Sequence, residues 1–195
     1  MRIVIILICL VATAAVATAQ ERPKADASKA DAPQAAAPSS QGNALSAHNR
    51  MLYAGMKATL LRSAEKMPEE SYNFKPTDAV RSYGQLVGHI AESQYFFCSA
   101  ALGEKNPARK IESTKTAKAD LVAALKESFA YCDRAYDGMT DATATQMVKL
   151  FGGDTPKLGV LNVNNVHSAL HYGNLVTYMR MKNIVPPSSE QGDMP

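Results

Sequence analysis

Along most of the chain, apolar residues recur three or four positions apart, the period of an amphipathic helix. Over 44–67, Leu45, Leu52, Met56, Thr59, Leu60, Ser63 and Met67 share one face, and Pro68 closes the segment. A second helix opens at Ser82, where Gln85 three residues on completes a capping box, and runs to Leu102 before Gly103. Its inward stripe holds Leu86, Phe96, Phe97 and Ala100, with Gln85, His89 and Ser93 in phase. A third helix is predicted over 114–137, with Leu121, Leu125, Phe129, Cys132 and Met139 inward and Gly138 as its stop. The turn at Phe151-Gly152-Gly153 precedes a fourth helix, capped by Asp154 or Thr155 with Pro156 in its first turn, that extends to about Asn183 before Pro186-Pro187. Val160 to Val163 alone reads as strand-like and is too short to matter. The pattern therefore predicts an all-α protein, a four-helix bundle over 44–187.

Outside that span the pattern changes. Residues 1–19 combine Arg2, an apolar run from Ile3 to about Ala12 and small residues leading to Ala17-Thr18-Ala19. This reads as a signal peptide cleaved after Ala19, which places the mature protein in the periplasm or outside the cell with no membrane span. Leu7-Ile8 before Cys9 argues against a lipoprotein site. Residues 20–43 hold seven Ala and three Pro but no Val, Ile, Leu, Met, Cys or aromatic residue. Such a stretch cannot repay the entropy of ordering, so it reads as a disordered linker, as does the tail 188–195.

Charge and cysteine content narrow the function. With 21 basic and 18 acidic side chains, the chain carries no electrostatic footprint for nucleic acid. Cys98 and Cys132 remain after cleavage and could pair in an oxidising compartment. Helical phase argues against it: Cys98 is nine residues from inward His89, hence on the opposite side of its helix, whereas Cys132 faces the core. The mature chain has no CxxC, no G-x-x-x-x-G-K and no G-x-S-x-G.

Histidine placement is more informative than histidine number. His167 and His171, four apart, lie about 40° apart on one helix face and can reach one metal ion. Their stripe also contains Val160, Val163, Leu170, Leu175 and Met181, together with Asn164, Asn174 and Tyr178. So many polar groups on a core face are expensive unless they satisfy one another or bind something. Each histidine alone reads most simply as a core residue with a local hydrogen-bond partner. Three inward imidazoles from two helices fit a three-ligand metal site with an open position, where a bound ion acidifies a water or thiol. His48, near the start of the first helix, reads as a surface residue. Glu92, three residues after His89, reads as an acceptor that orients an imidazole.

Tyr83-Gly84-Gln85-Leu86-Val87-Gly88-His89-Ile90-Ala91, the later His167-x-x-x-His171-Tyr172-Gly173-Asn174, Tyr178-Met179-Arg180, Pro186-Pro187 and the Phe74-Lys75-Pro76 turn together resemble the DinB-like (YfiT-like) superfamily. The resemblance implies an up-down-down-up bundle with one divalent metal, zinc or nickel, on His89, His167 and His171. The superfamily's characterised members include transferases that join small thiols to electrophiles, and with an open metal position the expectation is a metal-dependent thiol transferase or hydrolase acting on a small molecule. The residue pattern itself assigns Asn164, Asn174, Tyr178 and Glu92 to orienting ligands or substrate. Many members have no known activity, so a non-catalytic metal-binding or metal-sensing module of the cell envelope is the alternative, and a homodimer is among the assemblies open to it. A signal peptide sets this chain apart from cytosolic relatives, whose thiol cofactors are scarce outside the cell.

Overall fold

The computed structural model describes residues 42–107 and 110–190. The expected signal peptide, most of the expected linker and the last five residues lie outside the described residues. Four long helices account for most of what is described: α1 (Ala44–Lys66), α2 (Tyr83–Leu102), α4 (Lys118–Asp137) and α6 (Lys157–Met181). Two one-turn helices, α3 (Ile111–Thr114) and α5 (Asp141–Ala144), and an antiparallel hairpin of β1 (Met147–Leu150) and β2 (Gly153–Pro156) fill the connections. None of the described helices is long and apolar enough to cross a membrane.

Local chemistry sets α2 firmly. Ser82 Oγ accepts from Gln85 N–H while Gln85 Oε1 accepts from Ser82 N–H, and Gly103 closes the helix with a left-handed φ of 72°. α2 packs against α4 and α6, and α1 packs against the same pair, so one core of Leu60, Ile90, Leu121, Leu125, Leu161 and Leu175 is shared by all four.

The structure corrects several expectations. The third helix, α4, starts at Lys118 rather than 114, because Lys115 and Ala117 adopt extended backbone and separate it from the one-turn α3, which was not expected. Asp154 and Thr155 do not cap the fourth helix: they pair with Lys149 and Val148 in the hairpin, and Pro156 occupies the cap position. Val160 to Val163 is helical. α6 ends at Met181, with Asn183 in the left-handed region.

The inward stripes of α1 and α6 are also displaced. Leu45, Leu52, Leu170 and Met181 are exposed, and Val163 is on the boundary. In α1, Ser46, Asn49 and Tyr53 face inward in place of Leu45 and Leu52. Ser46 bonds Asp141, the Asn49 side chain accepts from Asn165, and Tyr53 donates to the Phe129 carbonyl. Satisfied polar groups, rather than apolar periodicity, decide which face turns in.

The start of the segment expected as a tail is structured: residues 187–189 form a turn of 3-10 helix, Tyr172 donates to Ser188, and Glu190 pairs with Arg62 and Lys66 of α1. Cys98 and Cys132 form a disulfide with a Cα–Cα distance of 5.3 Å, against expectation. The phase argument assumed a helix with a solvent face, but α2 is enclosed on nearly all sides and both cysteines are fully buried.

Candidate metal centre

The three histidines converge. His89 on α2 and His167 and His171 on α6 place one ligand atom each within 4.8 Å of one another. Their ring centroids are separated by 4.4 Å (His167–His171), 4.7 Å (His89–His171) and 5.2 Å (His89–His167). The Nε2 atoms of His167 and His171 face each other at 3.2 Å.

A short element orients the first ligand. α3 lies against α2 at Gly88, so closely that a Cβ there would stand 2.8 Å from Glu112 Cα. That approach brings the Glu112 carboxylate to 3.0 Å from His89 Nδ1. Arg81 Nε donates to the other Glu112 oxygen at 2.7 Å, and Glu112 N–H donates to Glu92 at 3.0 Å. With Nδ1–H held by Glu112, Nε2 is the ring nitrogen that His89 has left to offer as a ligand. Glu92 thus holds the backbone of α3, and Glu112 has the imidazole contact that sequence reading gave to Glu92. Nothing in the sequence ties Glu112 to His89, from which it is separated by a linker of no clear periodicity.

Asn174 lies 3.3 Å from His171 Nδ1 through its amide. Tyr178 donates to the Arg81 carbonyl at 2.8 Å and closes the same wall. Asn164 is elsewhere: it donates to Gln94 and Tyr136 in the core, 3.9 Å from both disulfide sulfurs, and Gln94 donates onward to Ser168. His48 is exposed on α1.

The electrostatics favour the neutral form at His167 and His171. Burial, then the positive potentials of His171, His89 and Arg81, pushes His167 down to about 4. His171 is likewise held at about 4 by burial and by His89 and Arg81, with Glu112 opposing. Neutral imidazole is the form that ligates. Hydrogen bonding within the cluster is incomplete, since a His167 Nε2 that accepts from His171 puts the proton on Nδ1, a buried atom with no protein partner. Two clefts flank the cluster. One of about 460 Å³ is lined by His89 and His167 with three phenylalanines, and the other, of about 620 Å³, by His171, Asn174, Tyr178, Arg81 and Lys75.

A helical domain that gathers three imidazoles from two helices between open clefts defines a class of histidine-cluster helical proteins. The chain belongs to the DinB superfamily, whose family model matches residues 52–175. Its fold is similar to the crystal structure of a DinB-like protein from Bacillus cereus ATCC 10987, at a TM-score of 0.63 and 15% identity over 71% of this chain and 93% of that one. It is also similar to the DinB-like protein YjoA from Bacillus subtilis, at a TM-score of 0.59 and 22% identity over 74% and 99% of the two chains. At these identities the likeness is one of fold. No curated protein matches the chain.

Proposed function

We propose that His89, His167 and His171 hold one divalent cation, zinc or nickel, through their Nε2 atoms, and that the protein is an exported metal-dependent transferase or hydrolase acting on a small molecule. The observation that carries this is the convergence of three ligand atoms within 4.8 Å, two of them on His167 and His171, whose surroundings favour the neutral form. The donor set fits a borderline cation, and three protein ligands leave a position for a reactant. When bound, the ion supplies Lewis-acid activation of a water or thiol at that position. Glu112 fixes the tautomer and tilt of His89, and the Asn174 amide nitrogen, 3.3 Å from His171 Nδ1, orients the His171 ring. Arg81 keeps Glu112 in place and gives the His171 cleft a fixed positive charge.

Export is part of this reading. The Cys98–Cys132 disulfide suits an oxidising compartment, and the sequence of residues 1–19 supplies the signal. N-terminal sequencing of protein recovered outside the cytoplasm should begin at Gln20, and an intact Met1 there would contradict it. In this reading the four long helices run up-down-down-up.

Full-chain protein loaded with zinc or nickel tests the enzymatic reading when offered small thiols with an aryl halide or epoxide, and activated esters with water. Metal-dependent turnover that His171→Ala abolishes is expected. Stoichiometric metal without turnover of any pair would favour a metal-binding module instead.

A further inference from the structure

The 460 Å³ cleft on the His89–His167 side has a wall that protein stability does not account for. Phe151 sits at the tip of the β1–β2 hairpin, where it and Gly152 have φ of 50° and 82°. Two successive positive φ values make a turn of the kind that selects Asn, Asp or Gly, and a bulky aromatic residue at its first position is strained. Phe151 is nevertheless there and 75% exposed, so it gains little from burial. Its ring leans on Phe96 at 5.4 Å and on Phe97 at 6.1 Å. Phe97 in turn lies 5.5 Å from His167. An unbroken aromatic surface therefore leads from solvent to a ligand of the candidate metal centre.

Two of the polar groups that line this cleft beside the histidines are already engaged. Ser93 donates to the His89 carbonyl at 2.8 Å, and Glu92 accepts from Glu112 N–H. Three phenylalanines dominate what the cleft offers a ligand, with Asn106 and Lys110 also on its lining, in a volume within the range of small-molecule pockets.

We infer that this cleft seats a flat aromatic group, of one or two fused rings, belonging to the molecule whose reacting atom faces the three histidines. The inference rests on the metal reading above and names the substrate class for that site. The hairpin tip supplies the outer wall, so Phe151 acts in ring recognition and the histidines in chemistry.

The test uses the full chain with zinc and with 2-naphthol as the probe. Zinc uptake is measured by elemental analysis, and naphthol binding by fluorescence titration with amide chemical-shift mapping. Expected are one zinc per chain, shifts centred on Ser93, Phe96, Phe97 and Phe151, and naphthol binding weakened roughly three- to tenfold in Phe151→Ala. Phe151→Tyr should restore it, and zinc uptake should be the same in both variants, which excludes misfolding as the cause. Zinc uptake with naphthol absent from the cleft, or bound equally well by Phe151→Ala, overturns the ring assignment and leaves the metal reading standing. Failure to take up zinc overturns the metal reading and the assignment with it.

Discussion

Glu112 holds His89 from one side while Arg81 and the Glu92 carboxylate hold Glu112 from the other. Removing an orienting acceptor from a ligand imidazole costs about 10- to 100-fold in metal affinity. Glu112→Ala should therefore weaken zinc binding by that order in a competition titration with a chromophoric chelator, whereas His48→Ala should leave it unchanged. The histidines also make a pH prediction. His167 and His171 have folded values of about 4 against an ordinary 6.5, so between those limits the unfolded chain binds more protons than the folded one. Their contribution to stability is complete above 6.5 and is lost as pH falls toward 4. Metal-free protein should melt at progressively lower temperature over that window, and His167→Gln should flatten the slope. The histidines were legible because three inward imidazoles violate the core pattern. Glu112 was not, because it gains its meaning only when α3 folds back onto α2.

At the scale of elements, the bounds of α2 could be read from Ser82, Gln85 and Gly103, since capping chemistry is local. The hairpin and α3 could not, because four-residue pieces carry too few positions to show a period and are held by what they pack on. Phase arguments failed where a helix is not one-sided: Cys98 was read as outward on a helix that has almost no outward side. Gly88 joins element to site, for its missing Cβ admits α3. Gly88→Ala should push α3 away, loosen Glu112 and weaken zinc binding. Gly55→Ala, at an exposed α1 position with nothing near its Cβ, should stabilise the fold by about 0.5–1 kcal/mol without affecting zinc. Thermal melts and the chelator competition, run on both variants, separate these effects.

Across the whole molecule, the disulfide ties α2, which carries His89, to α4 through a core that also contains Gln94, Asn164 and Tyr136. It closes a loop between residues 34 apart, which in the chain-entropy picture stabilises the fold by roughly 2–4 kcal/mol. Reduction under denaturing conditions followed by refolding with thiols blocked should lower the melting temperature by roughly 5–15 °C. An unchanged melt would mean that the bridge contributes nothing. The helical class and its long helices were legible because periodicity over twenty residues is a strong signal. Which faces turned inward was less so, because Ser46, Asn49 and Tyr53 are buried with partners that only the fold provides.

The central claim is a cation held by three histidines from two helices. Elemental analysis of purified full-length protein after equilibration with zinc or nickel tests it most directly, paired with the melting temperature before and after. One divalent ion per chain, a raised melting temperature, and loss of both in His167→Ala are predicted. Protein that binds no stoichiometric metal and melts at the same temperature with or without it would contradict the account.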